Sequence, residues 1–250
     1  MAKRTPRLYA LPGSHPCAAV EAALRLKGIA YERTDLLPTG EVVFGPLLFG
    51  GRTVPGMRLE GERIVGSREI MRRLDELAPT PPLLPLPGDP LYARVVEAEQ
   101  WGEAVFQSVP RRVIDVAFMR MPGAMESYTA DVKLPLPRPL LRPAMPLTAR
   151  LMARKNQARD ERARADLETL PGQLDRIDAW IVAGVLGGEQ PNAADLQIGS
   201  TIRLLESIGD VRPLLAGHAA AGLTRYFPPQ VGEVPAGVLP AEWLTAHGTA

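Results

Sequence analysis

Cysteine is almost missing from this chain: one residue, Cys17, in 250, so it can form no internal disulfide and no cysteine-based zinc cluster, and no metal is expected. A dominant charge is missing too. The 29 Lys and Arg stand against 28 Asp and Glu, which leaves no net field to draw in nucleic acid or an anionic membrane. No apolar run is long enough to span a bilayer, since Trp180 to Leu186 is far too short. Lys3, Arg4, Pro6 and Arg7 lead straight into a short apolar strand instead of a secretory leader, so a cytoplasmic setting is expected. What is present is 46% hydrophobic residues, enough for a substantial globular core.

The first 80 residues alternate strand and helix signals. Leu8 to Leu11 reads as a buried strand, Ala18 to Lys27 as a helix stopped by Gly28, and Tyr31 to Leu36 as a second strand returning parallel to the first. A Gly- and Pro-punctuated stretch, Pro38 to Gly51, separates this βαβ unit from a hairpin: Thr53 to Leu59, a turn at Glu60-Gly61-Glu62, and Arg63 to Val65. Ser67 then caps a helix whose Ile70, Leu74 and Leu77 share a face.

Between strand and helix lies Ser14-His15-Pro16-Cys17. A hydroxyl or thiol there faces the unpaired N–H groups and positive dipole end of a helix, which favours an anion and makes sulfur chemistry the first hypothesis. A small buried Cys17 and a loop-capping Ser14 are the plain alternative. His15 lies beside both and is suited to act as an acid or base near neutral pH, or to be an ordinary exposed loop histidine.

Four landmarks in order, Leu8 to Cys17, Lys27-Gly28-Ile29 with Tyr31, Val54-Pro55, and Ile64-Val65-Gly66-Ser67 before Ile70 and Leu74, resemble the thioredoxin-like half of the glutathione S-transferase superfamily. The resemblance implies an α/β thioredoxin-like domain over residues 1–80, then an all-helical domain, with a ligand cleft between them. It implies a cis bond before Pro55, which turns the backbone of Val54 toward the cysteinyl part of glutathione or another small thiol. Ser67 matches the serine that holds a γ-glutamyl carboxylate at a helix N-terminus. Gly66 departs from the acidic residue many members carry, and Arg68 or Arg52 nearby favours carboxylates instead. Ser14 matches a thiolate-stabilising serine, as in serine-type transferases, and Cys17 is the competing nucleophile of a monothiol reductase if it is exposed.

Pro79 to Pro90 is too proline-rich for helix or central strand, so 81–90 reads as a stiff linker before a helical domain over 91–232 and a patternless tail, 233–250. Leu91 to about Val109 and Asp166 to Val182 carry helical periodicity, with Pro171-Gly172 marking a kink or break in the second. Asn192 with Asp195 forms a variant capping box before Ile198, Ile202 and Leu205, and Val211 to Tyr226 reads as one more helix. A Pro-rich insertion near 119–147 is expected to be extended and to drape an apolar lid over the site, or to meet a partner, ahead of a basic helical segment from Thr148 to Arg164. Trp101, Val105, Phe106 and Met119 are expected to line the acceptor pocket. The function implied is attack of a glutathione-like thiolate on an apolar electrophile by a homodimer. A non-catalytic binding or scaffold protein, or a Cys17-dependent reductase, are the alternatives.

Overall fold

The computed structural model describes residues 5–130, 132 and 137–244. Its first half is a mixed four-stranded sheet, ordered β2-β1-β3-β4, built from β1 (Arg7–Ala10), β2 (Glu32–Asp35), β3 (Gly56–Leu59) and β4 (Glu62–Val65). A parallel pair needs a crossover, and α1 (His15–Leu26) supplies it, setting Leu8 opposite Arg33. β3 runs antiparallel to β1 and β4, with Met57 between Leu8 and Ile64. The sheet thus has the βαβ then ββα order of a thioredoxin-like domain.

The alternation of β1 divides its side chains between two faces. Leu8 and Ala10 join Val20, Leu24, Ile70 and Leu74 in a core shared with α1 and α3 (Ser67–Leu77). Tyr9 packs on Phe49, ring centroids 5.3 Å apart. Phe49 caps α2 (Gly40–Leu48), a helix that replaces the punctuated stretch expected over Pro38 to Gly51. Only Glu41 and Gly45 of α2 are buried, while Val43, Phe44 and Leu47 are exposed, so its pattern is the inverse of an amphipathic helix. Gly56 is required opposite Phe49, because a Cβ there would overlap its ring.

One buried amine organises the linker. Lys27 donates through Nζ to Asp75 Oδ1 at 2.7 Å and to the carbonyls of Ala78 and Pro81, the last at 2.8 Å, and Asp75 Oδ1 also accepts from the Leu83 N–H at 2.8 Å. The second half opens with α4 (Tyr92–Trp101), which passes through a π-helical turn at Gly102–Phe106 into α5 (Ser108–Arg120). Proline in the first turn of a helix forfeits no needed hydrogen bond. The insertion uses this repeatedly: α6 (Arg138–Leu141), a 3-10 turn at Arg142–Ala144 and α7 (Met145–Lys155) have Pro139, Pro143 and Pro146 near their starts, so 138–146 is helical where extended backbone was expected. Leu134, Pro135 and Leu136 of that expectation lie outside the described residues.

The basic segment is likewise split, with Gln157 at φ 53° between α7 and α8 (Asp160–Val182). α8 runs unbroken through Pro171 and Gly172. α9 (Ala193–Glu206) is the central helix and carries the reciprocal cap: Asn192 Oδ1 accepts from the Asp195 N–H and Asp195 Oδ2 from the Asn192 N–H, both at 3.0 Å. α10 (Arg212–Leu215) and a 3-10 turn at Ala219–Tyr226, parted by Gly217 at φ 87°, replace the single helix expected there. The tail is packed as far as residue 244, the last of those described: Val234 bridges Ile208, and the Trp243 ring lies 5.0 Å beneath the Arg120 guanidinium.

Candidate functional site

The loop after β1 is shaped by Gly13. Its φ is 71°, and a Cβ would stand 2.9 Å from Tyr128 Cδ1, so the loop lies against that ring only with glycine. Ser14 follows as the N-cap residue of α1, in extended conformation, yet its side chain makes no capping bond. Its hydroxyl therefore stands at the helix N-terminus uncommitted to the backbone amides. Across from it the Val54–Pro55 bond is cis.

Ser14 and Val54 meet on the wall of one cavity of about 360 Å³. Its remaining walls come from Ile114 and Phe118 of α5, Met125 and Tyr128 of the following turn, and Leu141, Met145 and Met152 of the insertion. The lining is mainly apolar, with a polar cluster of His15, Arg111, Asp115, Lys155 and Asn156. Such a cavity suits an apolar ligand oriented by a few polar groups.

Residues 8–82 match the family described as "Glutathione S-transferase, N-terminal domain". Solved structures extend the likeness to nearly the whole chain. Glutathione transferase F7 from Populus trichocarpa aligns at TM-score 0.58 and 15% identity, covering 88% of this chain and 91% of its own. A glutathione S-transferase from Rhodospirillum rubrum F11 aligns at 0.58 and 20% identity, covering 97% and 99%. One from Methylobacterium radiotolerans JCM 2831, a complex with glutathione sulfonate, aligns at 0.51 and 19%, covering 88% and 87%. This is the glutathione S-transferase superfamily fold. No curated protein sequence matches the chain.

Within that fold the expected site residues do not all converge. Ser14, His15 and Val54 reach the cavity, and Pro55 sets the turn beside it. Ser67 does not: it is buried between the two halves, its hydroxyl donating to Gln197 Oε1 of α9 at 3.1 Å. Arg68 is held by Glu103 at 3.1 Å and Glu99 at 3.3 Å, which turns it toward α4 and away from any ligand carboxylate. Glu99 is fully buried and also paired with Arg72, so these arginines fasten α3 to α4.

Cys17 also needs correction as a nucleophile. It is 1% exposed, and burial pushes its thiol up to about 12 despite hydrogen bonding from Ser14 and the Leu11 backbone, so it is neither accessible nor ionised at neutral pH. His15 is neutral as well. Burial, and then the Arg111 charge, hold it well below the usual imidazole range.

The expected acceptor residues sit elsewhere. Trp101 and Phe106 stack with centroids 5.3 Å apart, and Trp180 meets Trp101 edge-on at 5.2 Å, with the Arg176 guanidinium over both indoles. They belong to the helical core. Val105 is 43% and Met119 36% exposed, on surface away from the cavity. The cavity is lined instead by the next stretch of α5, where Arg111, Ile114, Asp115 and Phe118 recur at helical spacing. An apolar stripe carrying two charges was the sequence signal for it.

Two ties hold the insertion over this wall. Asn156 Nδ2 donates to Asp115 Oδ2 at 2.6 Å, and Lys155 pairs with Glu41, a buried carboxylate at the start of α2. Outside the cavity, Asp175, Asp178 and His218 gather three possible metal donors. Asp178 already uses both oxygens there, Oδ2 with His218 Nδ1 and Oδ1 accepting from the Ala220 N–H, each at 2.7 Å. That arrangement is a helix-to-turn clasp.

Proposed function

We propose that the protein is a glutathione S-transferase-type transferase that joins a small thiol to an apolar electrophile. The observation that carries this reading is the meeting of Ser14, whose hydroxyl makes no capping bond to the helix amides, and the backbone beside the cis Val54–Pro55 bond on one apolar cavity. A thiol lying along Val54 would place its sulfur at the N-terminus of α1. There the helix dipole and a hydrogen bond donated by Ser14 both favour the thiolate over the thiol. The thiolate then attacks an electrophilic carbon held against Ile114, Phe118 and Met152. The S–C bond forms as the leaving group departs with its electron pair, or as a conjugated double bond takes it up.

Glutathione is the thiol this reading names first, with the homodimer and cytoplasmic setting that the likeness implies. A second reading, a binding protein without turnover, is favoured by one observation: Ser67 is bonded to Gln197 and Gly66 supplies no carboxylate, so the γ-glutamyl end lacks its usual partners. Turnover of glutathione and shorter thiols with an activated aryl halide decides between them. Ser14→Ala is expected to lower kcat/KM by about a hundredfold or more, the range for losing one donor to a developing oxyanion. Turnover that survives Ser14→Ala undiminished removes Ser14 from the chemistry, and no turnover with any thiol leaves the binding protein.

A further inference from the structure

The polar end of the cavity holds more hydrogen-bonding capacity than the protein itself uses. Arg111 lines the cavity half-buried, and its Nη2 donates to the neutral Gln107 Oε1 at 2.8 Å. Among the described residues no carboxylate stands within ion-pair distance of it. The neighbouring cations differ: Arg112 is bidentate to Asp166, at 2.5 Å from each oxygen, and Lys155 is paired with Glu41. Next to Arg111, Asp115 is 1% exposed; its Oδ2 accepts from Asn156, and its Oδ1 has no partner. His15 Nε2, on the same wall and 4% exposed, has none either. Buried polar atoms are normally paired, and a half-buried cation beside two unpaired atoms leaves room for an anion among them.

We infer that this end of the cavity is a carboxylate subsite, with Arg111 as ion-pair partner and Asp115 Oδ1 as a second contact, so that the preferred ligand is an apolar carboxylic acid. The apolar body lies against Ile114, Phe118 and Met152, and the charged head completes the set around Arg111. Burial raises Asp115 to about 7, so below that pH it is a protonated carboxyl able to donate to the ligand's oxygen. Its surroundings are Arg111 on the same helix, Lys155 at the end of α7 with Asn156 just after it, Glu41 on α2 held by Lys155, and neutral His15 on α1. This inference rests on the cavity being the acceptor site of the proposed transferase.

Octanoate and octanamide, matched in shape and different in charge, test it by calorimetry on the full chain at pH 6. Octanoate is expected to bind at least about tenfold more tightly, the scale of one hydrogen-bonded charge pair. Arg111→Gln is expected to bring octanoate down to the level of octanamide, and Arg111→Lys to restore part of the difference. Equal affinities in the wild type overturn the subsite while leaving the cavity as a binding site. Binding of neither compound overturns the subsite and the acceptor reading together. If Arg111→Gln does not fold, the wild-type ratio of the two ligands still decides.

Discussion

Replacing Asp115 by asparagine changes how stability depends on pH, and by an amount the structure fixes. The carboxyl is raised from 3.8 to about 7 by burial, against the lowering influence of the Asn156 hydrogen bond and then of Arg111 and Lys155. A raised carboxyl binds its proton more tightly in the folded chain than in the unfolded one. Its contribution is therefore fully present below about pH 4 and is lost as the pH rises toward 7. Three pK units at 1.36 kcal/mol each amount to ~4 kcal/mol over that window. At about 2–4 °C per kcal/mol for a chain of this size, the melting temperature of Asp115→Asn should gain on wild type by on the order of 10 °C between pH 4 and pH 8. Melting curves of both proteins across that range give the difference directly, and the contribution of Asp195, also raised by burial, cancels between them. A difference that stays constant with pH would refute both the buried environment of Asp115 and its protonation in the cavity.

Two further predictions concern Cys17 and the α9 cap. Alkylation of the native chain followed by mass spectrometry should leave the single thiol unmodified over hours, with full labelling in denaturant; rapid labelling of the native chain would reopen the reductase reading. Asp195→Ala removes acceptors from the Asn192 N–H at 3.0 Å and the Gly187 N–H at 2.7 Å, and should cost about 2–4 kcal/mol in denaturant unfolding. A cost near zero would show that the cap contributes nothing to the central helix.

The order of elements in the first half was legible because each has a period of its own and turns mark the joins. β1, α1 and the hairpin announce themselves in this way. α2 was not legible, because a helix that buries a glutamate and a glycine while exposing Val43, Phe44 and Leu47 inverts the pattern by which helices are read. Proline misled in the insertion for a related reason: spacing alone does not say whether Pro139, Pro143 and Pro146 hold an extended backbone or start three short helical pieces. In the site, the place of Ser14 was readable from local sequence, since a loop and its helix fix it, and that of Val54 through the family resemblance. Ser67 depends on what comes across from elsewhere in the chain, Gln197 of α9. Arg111 and Asp115 were not singled out, because the part of α5 that carries them lies beyond the Leu91 to Val109 pattern that the sequence displays.

The roof of the cavity is stitched to the body by side chains at its two ends, Arg142 to Glu126 at one and Lys155 with Asn156 to Glu41 and Asp115 at the other. The stretch between contributes Met145, Thr148 and Met152 as an interchangeable panel. Selection could therefore recut that panel for molecules of different girth while the loops carrying Ser14 and Val54 stay as they are. Which molecules are admitted and how sulfur is handled would then evolve on separate tracks.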